Sequence, residues 1–256
     1  MGLLSGKKAL ILGVANEKSI AWSIAKAFQR EGADIAMTYA GDAIAKRVQP
    51  LADSIGAKIL LPCDVRNDAD IEQAFAALHE QWGSLDILVH SVAYANKDDL
   101  KGSFLDTTRD GFATALDISA YSFIACMRYA KPLMTGDNPS AVTLTYYGGQ
   151  KVFPSYNVMG VAKAALEMSV RYLAEAVGAD GVRVNAISAG PIKTLAAAGV
   201  GGFNQIASVV QTKAPMRNNI TQADVANAAL YLVSDLARGV TGEIHFVDNG
   251  YNIIGL

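Results

Sequence analysis

Short apolar runs alternate along the chain with longer stretches whose apolar residues recur at helical spacing. The runs are Ala9–Leu12, Ile35–Thr38, Ile59–Pro62, Ile87–His90, Ala141–Thr145, Val182–Ile187 and Glu243–Val247. Most are nearly continuous rather than alternating, the pattern of parallel strands covered on both faces. Helical segments fall near Ser19–Arg30, Ala43–Ile55, Asp68–Trp82, Arg109–Leu133, Asn157–Val177 and Gln222–Ser234. In the first, Ile20, Ile24, Ala27 and Phe28 form a single apolar stripe at i, i+4, i+7 and i+8. This βαβ rhythm predicts an α/β fold, a doubly wound, seven-stranded parallel sheet flanked by helices on both faces. No Pro-, Gly- or Ser-rich linker divides it, so residues 1–256 are expected to form one domain.

Composition narrows the class. The 256 residues are 51% hydrophobic and 18% charged, far from the profile of a disordered chain. Their net charge of −2 offers no positive field for a polyanion, which excludes nucleic acid from the expected partners. Cys63 and Cys126 are too few for a disulfide framework or a four-thiolate metal site and suit a reducing compartment. His79, His90 and His245 are scattered without ligand spacing, so no metal is expected. A mean hydropathy of +0.22 raises the membrane question. The longest uncharged run, Thr194–Thr212, contains three glycines, Asn204 and two glutamines, and makes a poor spanning helix, so no membrane span is expected. The first residues lack the pattern of a secretory leader, and cytoplasm is the expected location.

In an open parallel sheet a ligand binds beyond the carboxyl ends of the strands. After the first run, Gly13 offers close backbone approach, and Ser19 is placed to cap a helix whose free N–H groups and dipole favour a phosphate. The usual three-glycine fingerprint is missing. Asp64, after the third run, is placed to accept from an adenine amino group, and His90-Ser91-Val92-Ala93 leaves room for a flat ring or ribose. The second run ends Thr38-Tyr39-Ala40-Gly41-Asp42, without an adjacent Arg or Lys for a 2′-phosphate, which favours NAD(H) over NADP(H). Lys46 and Arg47 lie on the next helix, facing solvent.

After the fifth run, Tyr156 and Lys163 stand seven residues apart, a spacing that puts both on one helical face. An ammonium beside a phenol polarises its O–H and favours the phenolate, which makes a usable proton donor.

The sheet pattern, Asn185-Ala186-Ile187-Ser188-Ala189-Gly190-Pro191 and the ending Val247-Asp248-Asn249-Gly250 resemble the short-chain dehydrogenase/reductase superfamily. Most members carry Tyr-x3-Lys. Here Met159 stands four before Lys163, and the tyrosine lies further back. That spacing, with Gly13-x5-Ser19-Ile20-Ala21, His90-Ser91, Tyr146 ten residues before Tyr156, and Ser188-Ala189-Gly190-Pro191-Ile192-Lys193-Thr194-Leu195-Ala196, resembles the NADH-dependent enoyl-[acyl-carrier-protein] reductases of bacterial fatty acid synthesis over essentially the whole chain.

The resemblance implies a Rossmann-type fold, NADH as cofactor with NADPH less favoured, an acyl carrier protein bearing an enoyl thioester as partner, and a homotetramer. It places Tyr156 at the substrate carbonyl, Lys163 at the nicotinamide ribose, and Tyr146 beside the acyl chain as a further catalytic candidate. It puts Gly13, Ser19 and Ile20 at the pyrophosphate, Ala40, Asp64 and Val65 at the adenosine, and Ser91 and Val92 near the cofactor. Ile192 falls at the carboxamide and Thr194 at the phosphates, with Leu195 and Ala196 beside them. Ala95 and Met159 fall on the substrate side. Residues 194–212 become a flap in which Leu195, Val200, Phe203, Ile206 and Val209 cover an acyl chain and Gly199, Gly201 and Gly202 act as hinges. The sequence departs from the family at Ala40, where a polar residue is common, and at Val92-Ala93, which replaces an Ile-Gly type pair. Two alternatives stay open: a superfamily member acting on a ketone or alcohol, and a non-catalytic dinucleotide-binding regulator.

Overall fold

The computed structural model describes residues 2–195, 197 and 201–255. Seven strands, β1 (Lys8–Leu12), β2 (Asp34–Tyr39), β3 (Ile59–Pro62), β4 (Ile87–His90), β5 (Ser140–Thr145), β6 (Arg183–Ala189) and β7 (Ile244–Val247), form one sheet in the order β3-β2-β1-β4-β5-β6-β7. Every pairing is parallel. Eight α-helices accompany it among the described residues: α1 (Ile20–Arg30), α2 (Asp42–Ser54), α3 (Asp68–Trp82), α4 (Arg109–Leu116), α5 (Ser122–Ala130), α6 (Asn157–Gly178), α7 (Phe203–Lys213) and α8 (Gln222–Val233).

Alternate strand residues enter different cores, which is why the runs read as continuously apolar. Leu10, Leu12, Leu88, Ala141 and Val184 pack with Phe75 of α3, Phe123 of α5 and Leu166 of α6. Ala9, Ile11, Ile87, Val89 and Val142 pack with Ile24 and Phe28 of α1 and Val225 and Ala229 of α8. Burying a side chain such as Phe28 or Phe123 contributes about 1.5–3 kcal/mol. At the far end of the sheet the buried Arg183 donates to the carbonyls of Leu232 and Ser234, stopping α8 with the cation its C-terminus favours.

The chain runs outward from β1 through β2 to β3, then returns to the other side of β1 as β4, so the strand order reverses between β1 and β4. Gly13 sits at that point with φ +97°, a left-handed conformation glycine tolerates. A Cβ there would lie 2.0 Å from the Ser91 carbonyl oxygen, so Gly13 lets the ends of the two strands approach.

Helix α3 runs over Asp68–Trp82, as the apolar spacing and its caps indicate: Asn67 accepts from the Ala69 amide and Gly83 closes the helix at φ +70°. The helix expected over Arg109–Leu133 is instead broken by a wide π-type turn at Asp117–Tyr121. Ser122 Oγ donates back to the Ile118 carbonyl at 2.6 Å, while Ser119 Oγ leaves the helix to bond both the N–H and the C=O of Tyr94. No helix among the described residues is long and apolar enough to cross a membrane.

Candidate active site

A crevice of about 590 Å³ opens at the switch point, beyond the carboxyl ends of β1 to β4. It brings together Gly13, Ala40, Asp64, Val65 and Val92, all marked from the sequence, with Val14, Tyr94, Asn96, Thr114 and Ile118. Arg66, absent from the sequence expectations, also lines it. Its guanidinium pairs with the Asp64 carboxylate, Nε to Oδ1 at 3.0 Å, and holds that carboxyl below the usual range. Thr114 of α4 and Ile118 of the π-type turn line the crevice as well.

Ser19 does not cap α1, contrary to the sequence expectation. Its Oγ accepts from the Ala15 and Asn16 amides, at 3.0 and 3.1 Å, and so shapes the loop between β1 and α1. The amides of Trp22 and Ser23 bond the Ser19 carbonyl, and those of Ile20 and Ala21 have no partner among the described residues, which leaves the helix start available to an anion. These donors, the glycine-lined approach and a volume in the range of small-molecule sites, about 300–1,000 Å³, fit a dinucleotide.

His90 turns inward from the end of β4 and is fully buried. His90 Nε2 faces Ser122 Oγ at 2.8 Å and Nδ1 faces Thr143 Oγ1 at 3.1 Å, so both ring nitrogens have a hydroxyl neighbour inside the core. Burial, with Lys163 nearby, pushes the His90 pKa down to about 3, so the ring is neutral.

Beyond β5 lies a second group of residues. Tyr146 meets Tyr156 edge-on with ring centroids 5.1 Å apart, and Phe153 backs Tyr146 at the same separation. Tyr156 packs with Ala95, Leu100, Met159 and Ala162, so the substrate-side residues marked from the sequence share one cluster. Ser155 and Asn157, on either side of Tyr156, have φ of +61° and +36°, conformations that non-glycine residues rarely adopt. Three glycines make this packing possible: a Cβ on Gly148 would lie 2.5 Å from the Tyr156 ring, one on Gly149 2.9 Å from Glu167 Oε1, and one on Gly160 2.8 Å from the Gly148 carbonyl.

The electrostatics differ from expectation. Tyr156 precedes α6, so its position follows from the chain's entry into the helix rather than from a shared helical face with Lys163. Burial, then Tyr146, raises the Tyr156 pKa; Tyr146 is raised likewise by burial, then Tyr251. Both phenols are neutral donors rather than incipient phenolates. Lys163 is 6% exposed and donates to the Leu144 carbonyl at 2.8 Å, with burial bringing its pKa down to about 8. Cys63 and Cys126 are buried in the core, where burial pushes Cys63 up to about 12 and raises Cys126 further.

Ile192 is buried in the α1/α8 core, Thr194 Oγ1 accepts from the Ala197 amide, and Leu195 is 53% exposed. None of the three lines the crevice, and neither do Ser19, Ile20, Ser91 or Lys163. Ala196, Gly199 and Val200 lie outside the described residues. Helix α7 buries Val210, while Ile206 and Val209 line a groove of about 720 Å³ whose other walls include Val152, Phe153 and Ile253.

Residues 13–252 match the family model described as Enoyl-(Acyl carrier protein) reductase. The chain is 55% identical to Enoyl-[acyl-carrier-protein] reductase [NADH] 1 of Rhizobium meliloti, an alignment covering 100% of this chain and 93% of that one. It superimposes on the crystal structure of enoyl-[acyl-carrier-protein] reductase (NADH) from Aquifex aeolicus with TM-score 0.96 at 54% identity, all of both chains covered. The Bacillus cereus enoyl-acyl carrier protein reductase, solved with NADP+ and an indole naphthyridinone, gives TM-score 0.97 at 50% identity, again over all of both chains.

Proposed function

This chain belongs to the enoyl-(acyl carrier protein) reductase family, and from that premise we propose a division of labour among its residues. It is an NADH-dependent oxidoreductase that reduces the carbon-carbon double bond of trans-2-enoyl thioesters carried by acyl carrier protein, the final reductive step of fatty acid elongation.

NADH, when bound, supplies hydride to the β-carbon of the enoyl group. Reduction there drives negative charge onto the thioester oxygen, and the neutral phenol of Tyr156 donates a hydrogen bond to that developing enolate. Tyr146 holds the Tyr156 ring edge-on and walls the acyl side with Phe153, Met159 and Ala95. Lys163 carries three N–H donors, and its bond to the Leu144 carbonyl uses one of them, leaving others for the nicotinamide ribose hydroxyls. Gly13, Ser19 and Ile20 serve the pyrophosphate, and Ala40, Asp64 and Val65 the adenosine. Ser91, Val92, Ile192, Thr194, Leu195 and Ala196 complete the cofactor side.

Residues 194–212 act as the substrate cover of a single catalytic unit, a role supported by the apolar wall that Ile206 and Val209 turn toward Val152 and Phe153. Exposed Phe112, Tyr121, Met168 and Tyr172 support assembly as a homotetramer. The two free, buried cysteines suit the cytoplasm.

The observation that carries the mechanism is the pair of neutral phenols meeting edge-on beside the Ala95–Met159 cluster. The test offers the protein a crotonyl thioester and, separately, an acetoacetyl thioester with NADH, following loss of NADH absorbance. Oxidation with crotonyl thioester is expected; oxidation with acetoacetyl thioester alone contradicts it and favours a ketone reductase.

A further inference from the structure

Glu167 stands one helical turn beyond Lys163 on α6, so the two side chains are neighbours on one face. It is 4% exposed, an uncommon place for a carboxylate, and forms no ion pair among the described residues. Its two oxygens are used separately: Thr145 Oγ1 donates to Oε1 at 2.8 Å, and Gln150 Nε2 donates to Oε2 at 2.9 Å. Lys163 reaches the adjoining residue of β5, the Leu144 carbonyl. Ammonium and carboxylate are therefore both tethered to the last two residues of one strand, from consecutive turns of one helix. The Gly148-Gly149 turn is pressed between them and the Tyr156 ring.

We propose that Glu167 is a positioning residue: its carboxylate keeps Lys163 an ammonium and clamps the 147–150 turn against α6, so that Tyr156 is held in place. The clamp follows from the two bonds and from the close approach of Gly149. The electrical role follows from the surroundings of Lys163. His90 from β4 is neutral, as are Tyr146 after β5 and Tyr156 before α6. Among these groups only Glu167 carries a negative charge, and it opposes the burial that would strip Lys163 of its proton.

The inference rests on the assignment of Lys163 to the ribose hydroxyls, and the test separates the two. NADH affinity is measured against pH by fluorescence titration for the parent, Glu167→Gln, Glu167→Asp, Gln150→Ala and Lys163→Met. The parent should lose affinity as pH rises through about 8, where Lys163 deprotonates. Glu167→Gln should move that loss down by about one pH unit, an effect of up to tenfold on affinity in the window between the two limbs that vanishes at lower pH. Glu167→Asp keeps the charge and should keep the limb of the parent, which preserves the test if the Gln variant does not fold. Gln150→Ala loosens only the clamp, and should lower kcat while leaving the limb in place. A limb in Glu167→Gln that coincides with the parent overturns the inference and leaves the role of Lys163 standing, as does a limb in Glu167→Asp shifted down by a full unit. Lys163→Met binding NADH as the parent does, with the same pH dependence, overturns both.

Discussion

Gly148→Ala probes the site without removing any functional group. The added methyl would lie 2.5 Å from Tyr156 Cδ1, 2.7 Å from Cε1 and 3.0 Å from Tyr146 Cδ1. Carbon atoms pack at about 3.5–4.0 Å, so the Tyr156 ring must retreat by roughly 1 Å. It has little room, because Met159, Ala162 and Leu100 are buried against it and Tyr146 blocks its edge. A displacement of that size at a reacting group costs about 100-fold in rate, equivalent to roughly 2.7 kcal/mol of barrier. Overpacking costs a further 1–3 kcal/mol of stability, or about 2–12 °C in Tm for a chain of this length. The assay is steady-state reduction of crotonyl thioester with a thermal melt alongside, and kcat should fall with KM for NADH little changed. Gly178→Ala is the control, since a Cβ there meets nothing within 4 Å and the residue ends α6; turnover should match the parent and stability should rise slightly. A folded Gly148→Ala protein turning over within twofold of the parent refutes the argument that this ring must be fixed in place.

Three further outcomes follow from the packing and the charges. His90 has a folded pKa of about 3 against 6.5 when free, so the unfolded chain binds the extra proton between those values and stability falls as pH drops from 6.5 toward 3, by about 1.4 kcal/mol per unit from this one group. Urea midpoints from pH 7 to 4 should fall less steeply in His90→Gln than in the parent, and equal slopes contradict a buried neutral ring. Gly13→Ala combines left-handed strain of about 1–2 kcal/mol with a collision that only parting β1 from β4 relieves, so Tm should drop by roughly 5–15 °C and NADH binding should weaken. Phe123→Ala, in a fully buried position against the His90 ring, should cost about 3–5 kcal/mol by chemical denaturation.

The strands were legible because each is covered on two sides and so is apolar at nearly every position. Asp68–Trp82 was legible to the residue because its caps are local. The break at Asp117–Tyr121 was not, since it depends on Ser119 reaching the Tyr94 backbone, twenty-five residues away in the chain. The strand ends pointed to Gly13, Asp64 and Val92 in the crevice, yet Arg66 looked like any surface base until its carboxylate partner placed it there. Ser19 has the residue type and position of a cap, but the β1–α1 loop takes its hydroxyl first. Tyr156 and Lys163 were marked by their spacing, their place after the fifth strand and the family resemblance, none of which carries information about burial, and burial is what keeps the phenol neutral. Nothing in the sequence marks Glu167; only the packing of β5 against α6 reveals a carboxylate closed off from water.

The central claim is that the hydroxyl of Tyr156 serves the reaction rather than the binding of NADH. Its most direct test is Tyr156→Phe, which keeps the ring, its contact with Tyr146 and its place in the Ala95–Met159 cluster. With crotonyl thioester as substrate, kcat should fall about 100- to 1,000-fold, as for loss of a single donor to a developing oxyanion. NADH affinity measured on the same preparation should stay within about twofold of the parent. Turnover equal to that of the parent would contradict the assignment of Tyr156 as the donor.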